Sequence, residues 1–176
     1  IDIASENITN YFINVTFDDT ETNLLNTPSS QLSVAWWTRA FVNSTSEAQL
    51  EGVNITVDDV SSNAAWSDNT DSAGFTAFFV TTEYIQNNTG QFLETNHTFT
   101  ATEAISGTLA QSINVTNSMT INFTMERCAG THPPAVGDWS VNDTTVCQDM
   151  SITLNGNLTV NNTANLTLGN VTLIFN

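Results

Sequence analysis

The sequence contains no lysine and only two basic residues, Arg39 and Arg127, against eighteen acidic ones. Neutralising nucleic-acid phosphates or an anionic membrane surface requires clusters of Lys and Arg, so neither is expected as a partner. No apolar run approaches the roughly 18 residues of a membrane helix, and we expect no membrane insertion. No charged-then-apolar leader stands at Ile1, so an export signal would have been removed or would lie upstream.

Cysteine is equally scarce. Cys128 and Cys147 are the only two, and they bracket a stretch rich in Pro, Gly and Asp. In an exported protein, an even pair around a turn-rich loop predicts a disulfide. The alternative is a zinc site that combines both cysteines with His97 and His132, but this spacing matches no standard zinc pattern.

Charged residues make up only 11% of the chain, so solubility must come from Asn, Thr, Ser and whatever is attached to them. Thirteen of the twenty-three asparagines are followed by Thr two places on, against roughly six expected by chance for the N-glycan acceptor motif. Positions i and i+2 share one face of a strand, so polar-out alternation alone produces such runs. The two interpretations are compatible, because a glycan must lie on an outward face. We expect substantial N-glycosylation and an extracellular, cell-surface location. The acceptors are Asn7, Asn14, Asn43, Asn54, Asn87, Asn96, Asn114, Asn122, Asn142, Asn157, Asn161, Asn165 and Asn170.

Helical periodicity is absent, whereas alternating runs rich in Thr, Val, Ile and Phe recur along the chain. Turn signals separate the runs at regular spacing, which is typical of a β-sandwich. The predicted strands lie near 8–17, 32–43, 51–58, 75–85, 96–103, 109–116 and 119–126.

Two segments in this region carry a family resemblance. The run EGVNITV over 51–57, followed by TDSAGF over 70–75, resembles the "G-x-x-V-x-V … T-D-x-x-G-x" pattern of transthyretin-like (carboxypeptidase-regulatory-like) sandwich domains. Such domains are common as repeats in microbial surface proteins, so the resemblance implies a fold and a structural or adhesive setting, without catalytic residues. We expect Asp71 to cap the turn, Gly74 to take a positive φ, and Phe75 to start a core strand.

The last residues, SITLNGNLTVNNTANLTLGNVTLIFN, alternate short apolar runs with Asn- and Gly-rich corners. This pattern resembles the rungs of parallel β-helices in archaeal and some bacterial surface proteins, where corner asparagines adopt the left-handed conformation. Two ordinary hairpins, one turning at Asn155-Gly156, are the alternative. In the rung interpretation the residues that point inward or into a neighbouring sheet are Leu154, Leu158, Val160, Leu166, Leu168, Val171 and Leu173.

We therefore predict an all-β chain, namely an Ig-like or transthyretin-like β-sandwich with an extra N-terminal strand and short C-terminal β-solenoid-like strands. Its parts are an N-terminal strand and connector (1–31, a candidate donor strand), the sandwich (32–127), the disulfide-closed loop (128–147) and the C-terminal rungs (148–176). A separate first strand and isolated rungs cannot bury their apolar faces alone. The two ends must pair with each other or complete the next subunit. The candidate assembly residues are Ile8, Phe12, Val15, Phe17, Leu166, Leu168, Val171, Leu173 and Phe175.

The sequence shows no catalytic motif and only weak candidates for a metal site. There is no Ser-His-Asp order with a nucleophile elbow and no phosphate loop, so we predict that the protein is not an enzyme. Apart from glycans we expect no cofactor. The carboxylates of Asp58, Asp59, Asp68 and Asp71 are weak calcium candidates, because their spacing matches no known calcium loop.

The adjacent pair Trp36-Trp37 in a predicted strand must place one ring in the core and the other on the opposite face. A sugar-stacking platform that also uses Trp66 and Trp139 is the alternative. The leading functional hypothesis is a structural subunit of an extracellular glycosylated filament, sheath or surface layer, which assembles head to tail with copies of itself by β-strand complementation. The alternative is a carbohydrate-binding or adhesive module of a larger cell-surface protein.

Overall fold

The computed structural model describes residues 2–3, 8–16, 24–25, 29–45 and 47–176. All regular elements in these ranges are strands, so the predicted all-β class is confirmed. No helix in the described part of the chain is long and apolar enough to cross a membrane. The strands, in chain order, are β1 (Asp2–Ile3), β2 (Thr9–Ile13), β3 (Leu24–Leu25), β4 (Gln31–Ser44), β5 (Asn54–Asp58), β6 (Ala64–Asn69), β7 (Phe79–Asn87), β8 (Gly90–Leu93), β9 (His97–Glu103), β10 (Gly107–Ile113), β11 (Met119–Met125), β12 (Cys128–Ala129), β13 (Trp139–Val141), β14 (Thr144–Gln148), β15 (Ser151–Leu154), β16 (Leu158–Val160), β17 (Asn165–Gly169) and β18 (Thr172–Phe175).

Two larger sheets form most of the first part of the molecule, beside a two-stranded parallel sheet of β1 and β3. One has the order β10-β9-β5-β6, and the other has the order β11-β4-β7-β8 with β2 also on β4. Alternation along each strand sends every second side chain to the interior. Strands from both sheets contribute to one hydrophobic cluster, whose largest fully buried members are Phe99, Phe123, Leu32, Ile55 and Val42.

Strand β4 is the centre of its sheet, and one of its edges is shared by two other strands. Strand β7 pairs antiparallel with β4 on one side. On the opposite side, β2 runs parallel along Gln31–Ala35 and β11 runs parallel along Thr38–Ser44. Strands β2 and β11 therefore lie end to end along the same edge. The expectation that the first strand is separate from the sheets is wrong, because β2 pairs with β4 of its own chain.

The turn that follows β6 agrees in part with the family pattern. The Asp71 carboxylate accepts hydrogen bonds from the backbone N–H of Ala73 at 2.9 Å and of Phe75 at 3.0 Å, so it caps the turn as predicted. Gly74 has a φ of 78°, and a Cβ there would lie 2.6 Å from the Val42 carbonyl oxygen. Phe75, however, does not start a core strand. It forms an isolated bridge with Phe41, and β7 begins only at Phe79.

The C-terminal part has a solenoid-like arrangement of two coils, so the hairpin alternative is wrong. Strands β13, β14 and β15 form the first coil and pair in parallel with β16, β17 and β18 of the second. Residues stacked on each other are 19 or 21 positions apart, which is one coil. The first coil begins inside the loop between the cysteines, because β13 and most of β14 lie there. Strand β12 pairs antiparallel with β14 and places Cys128 opposite Cys147.

A second hydrophobic cluster fills this solenoid-like unit. In the first coil Trp139, Val141, Cys147, Ile152 and Leu154 are buried. In the second coil the inward residues are only partly buried, and they are Leu158, Ala164, Leu166, Leu168, Val171 and Leu173. Val160 was expected to point inward, but its side chain is 44% exposed. The side chains of the first coil are thus more fully buried than those of the second, and β14 has a strand on each side, β12 and β17.

Candidate functional site

The second coil of the solenoid-like unit presents a row of strand edges. Strands β16, β17 and β18 each pair with a strand of the first coil, and no other described strand pairs with them. Residues 150–176 carry no charged side chain, although the whole chain has a formal net charge of −16. Unpaired backbone N–H and C=O groups along such edges are a template for another strand. This neutral end is therefore able to take a further β-layer without charge repulsion.

Amide side chains are stacked at the corners of the two coils. The Asn170 side-chain N–H donates to the Asp149 carboxylate at 3.0 Å, and both residues have left-handed φ angles of 52° and 50°. The Asn161 amide likewise donates to the Asn142 side-chain oxygen. The prediction that corner asparagines adopt the left-handed conformation is confirmed at Asn170. Each stacked pair joins polar side chains of the two coils at a corner. The two further stacked pairs are Asp138 with Asn157 and Asn155 with Asn176.

Strand β2 fills a slot at the edge of β4. The Gln31 N–H donates to the Ile8 carbonyl, and the Asn14 N–H donates to the Ala35 carbonyl, both at 2.9 Å. Phe12 packs against the main hydrophobic cluster, whereas Tyr11 on the other face of β2 is exposed. The strand is therefore held by backbone pairing along its whole length and by Phe12, which packs partly buried against the core.

The candidate assembly residues divide into three groups. Phe12 is packed against the first cluster, and Leu166, Leu168, Val171 and Leu173 are packed against the second. Ile8, Val15 and Phe175 are exposed. Phe17 lies outside the described residues. Their part in assembly stays a prediction.

The glycan acceptors are all within reach of solvent where the structure describes them. Nine are exposed and Asn43, Asn54 and Asn87 are half-buried, while Asn7 lies outside the described residues. On β5, Asn54 alternates with the buried Ile55, which is the outward alternation expected of a strand acceptor. The exposed acceptors are Asn14, Asn96, Asn114, Asn122, Asn142, Asn157, Asn161, Asn165 and Asn170.

Of the four tryptophans, Trp37 is the one that faces solvent most. Trp36 is buried and its indole N–H donates to the Glu83 carboxylate at 2.6 Å, so the pair divides between two faces as predicted. Trp139 is buried in the second cluster and cannot serve a sugar platform. Trp66 stacks on the Phe79 ring, with centroids 3.8 Å apart.

Trp37 lines an open, largely apolar cleft of about 490 Å³ together with Phe78, Asn14 and Ser118. The Trp37 side chain is 40% exposed and that of Phe78 is 56% exposed. The Arg39 guanidinium lies over the Phe78 ring, 4.7 Å from its centroid. Phe78 is not among the residues singled out from the sequence, where it falls within the predicted strand at 75–85, and the structure places it just before β7.

Two of the four candidate carboxylates, Asp59 and Asp71, cap turns. The Asp59 carboxylate accepts hydrogen bonds from the backbone N–H of Asn63 at 2.9 Å and of Ser61 at 2.8 Å. The Asn63 hydrogen bonds lower the pKa of the Asp59 carboxyl. Asp68 accepts from the Ala77 N–H. In the described part of the chain no three His, Cys, Asp or Glu side chains come together as a metal-ion group, so the four calcium candidates do not form one site.

The zinc alternative is wrong, because the two cysteines are joined to each other. A disulfide links Cys128 and Cys147, with Cα atoms 4.2 Å apart, as the sequence predicted. The buried His97 side chain donates from Nε2 to the Thr82 carbonyl at 2.7 Å, since a carbonyl oxygen can only accept. His132 lies on the surface, 3.9 Å from the Glu126 carboxylate.

Comparison of the chain with family models, with curated proteins and with solved structures finds no match. Its function is therefore inferred from its own geometry and chemistry.

Proposed function

We propose that this protein is a structural subunit of an extracellular, N-glycosylated filament, sheath or surface layer, and that it assembles with copies of itself by β-strand complementation. The observation that carries the proposal is the position of β2. This strand occupies a slot on β4 that is separate from β11 and is bounded by it at one end. A strand from a neighbouring subunit would make the same contacts in the same slot.

The physical basis of the exchange is that the closed and the assembled forms share one interface. In either form Phe12 packs against the core and the β2 backbone pairs with Gln31–Ala35. Exchange of an identical element between protomers is a low-cost route to assembly, and in a heterologous head-to-tail arrangement that does not close it generates a fibre. The concentration of subunits then decides which form is populated.

The uncharged second coil supports the same proposal. Partly buried Leu166, Leu168 and Leu173 gain cover when another β-layer stacks on this end. All eighteen acidic residues lie before residue 150, and their like charge opposes contact between the other surfaces of two subunits. The disulfide and the solvent-accessible acceptor asparagines are consistent with an oxidising, extracellular setting. We also propose that the two larger sheets form an Ig-like or transthyretin-like sandwich, akin to those of archaeal or bacterial surface proteins.

The first test is to image native material by negative-stain electron microscopy and to cross-link the slot. In a Thr9→Cys/Gln31→Cys variant the two cysteines are register partners across β2 and β4. If β2 is exchanged, oxidation joins consecutive subunits. A non-reducing gel of the filament fraction then shows a ladder of covalent multimers. A closed chain gives a monomer with an internal disulfide, and finding only this species in assembled material would refute strand exchange.

Two controls make the cross-linking result specific. The Thr102→Cys/Thr108→Cys variant places a pair across the β9–β10 hairpin, which should always form within one chain. A Thr9→Ala variant controls for loss of the acceptor motif at Asn7, because Thr9 belongs to it. Both controls should leave filament formation unchanged.

The second candidate is a carbohydrate-binding or adhesive module of a larger surface protein. The observation that favours it is the exposed pair of rings, Trp37 and Phe78, at one cleft. Binding of free oligosaccharides by the dispersed protein, abolished in Trp37→Ala, would support this module. Filaments together with no binding on a glycan array would reject it.

A further inference from the structure

The cleft of Trp37 and Phe78 has a glycan acceptor at its rim, because Asn14 is one of the residues that line it. We propose that the glycan attached to Asn14 folds back onto the protein and occupies this cleft. The cleft is then a site for the chain's own sugar rather than for a foreign ligand. This inference rests on the proposed function, because it requires the protein to be N-glycosylated.

The Asn14 side chain is held in one orientation beside Trp37. Its side-chain oxygen accepts a hydrogen bond from the Ser118 hydroxyl at 2.8 Å. The Ser118 oxygen in turn accepts the backbone N–H of Trp37 at 3.1 Å. The Asn14 amide nitrogen, which is the atom that carries an N-linked glycan, has no hydrogen-bond partner among the described residues. Ser118 therefore fixes the amide while the attachment atom stays free.

The chemistry of the cleft suits a sugar ring. Trp37 is 40% exposed and Phe78 is 56% exposed, and the cleft volume of about 490 Å³ lies within the 300–1,000 Å³ range of small-molecule sites. A pyranose presents C–H groups on one face and hydroxyl groups at its edge. The C–H face can lie against the Trp37 ring, whose π face is electron-rich, while the hydroxyls stay in water. Exposed large apolar side chains in a cluster normally mark a binding surface.

Attachment at Asn14 favours this sugar over any free one. A ligand tethered next to its site has an effective concentration in the millimolar range, so even a weak stacking contact is populated. Asn14 also lies at the joint where β2 ends and β11 begins, and it has a left-handed φ of 57°. A glycan packed across this joint would therefore hold the end of β2 in its slot.

The test compares two acceptor-removing variants in two backgrounds of the intact glycoprotein. Thr16→Ala removes the acceptor motif and keeps Asn14 and its hydrogen bond. Thr167→Ala removes the motif at Asn165 on β17 and is the matched control. We expect Thr16→Ala to lower the thermal midpoint by about 2–4 °C, the shift that loss of one stacking contact produces in a chain of this size. In a Trp37→Ala background the same change should have no effect, and Thr167→Ala should behave alike in both backgrounds.

Two readouts separate failure of this inference from failure of the proposed function. Mass spectrometry of the peptide that contains Asn14 must show a glycan. An unmodified Asn14 with other acceptors occupied would overturn the inference alone, whereas a chain without any glycan would also overturn the glycosylated-subunit proposal. In the unaltered glycoprotein, NMR should show nuclear Overhauser contacts between the first sugar and the Trp37 indole. An occupied Asn14 without these contacts, or equal effects of Thr16→Ala in both backgrounds, would refute the docking.

Discussion

The two coils of the solenoid-like unit should respond very differently to the same truncation. Leu154 in the first coil is 0% exposed, whereas Leu173 in the second coil is partly buried. Leu154→Ala leaves an enclosed cavity, and we expect a loss of about 3–5 kcal/mol of unfolding free energy. Leu173→Ala removes a side chain that already contacts solvent, so the expected loss is about 1–1.5 kcal/mol, roughly half of a full burial.

Native-state hydrogen exchange of peptides from β13–β18 measures this difference in the dispersed protein, because it reports the opening free energy of the unit itself. Thr153→Ala, on the outward face of β15, is the matched control and should stay within about 0.5 kcal/mol. In assembled material a layer stacked on the second coil would raise the cost of Leu173→Ala toward that of Leu154→Ala. Equal costs in the dispersed protein would show that the second coil is already covered and would refute the open-end argument.

Three further predictions concern the covalent bond, one carboxylate and one turn. Replacing Cys128 and Cys147 by Ser should lower the unfolding free energy by about 3 kcal/mol in urea titrations. The chain-entropy model gives about this value for a disulfide that closes a loop of this length. Hydrogen bonds from the Thr131 hydroxyl and then from the Thr145 hydroxyl lower the pKa of the Asp143 carboxyl below its ordinary 3.8. The contribution of Asp143 to stability is therefore present above pH 3.8 and is lost as the pH falls through the lowered pKa. Asp143→Asn should therefore flatten the acid limb of a stability–pH curve. Gly74→Ala should cost about 1–3 kcal/mol by thermal unfolding, because it forces a Cβ against a backbone oxygen at positive φ.

Several strands with a buried face were predictable, whereas the polar edge strand β6 was not. Alternation gave β4, β5, β9 and β11 to within a few residues, because each sends every second side chain to the core. Strand β6 (AAWSDN) was missed, since it is a polar edge strand that buries little and shows no such pattern. An edge strand is defined by backbone pairing to its neighbour, which leaves almost no trace in side-chain type.

The candidate sites divide in the same way. The disulfide, the acceptor asparagines and the capped turn at Asp71 were predictable, because each depends on residues close in sequence or on a fixed motif. The cleft beside Asn14 was not, because it joins Trp37, Phe78 and Ser118 from three separate segments. The same holds for the slot of β2, since a connector of polar residues says nothing about which edge the strand will reach.

The sequence by itself determined that this chain is all-β, acidic, nearly free of basic residues, closed by one disulfide and rich in glycan acceptor motifs. Composition, motif and period-2 alternation are local properties, and local rules are enough to read them. Only the tertiary structure decided that the apolar runs after Cys128 stack as two coils, and that the second is covered on one side. It also decided that β2 lies parallel on β4 in line with β11. The physical reason is that strand pairing joins backbone groups that are alike at every residue, so the choice of partner depends on which apolar faces are buried together across the whole fold.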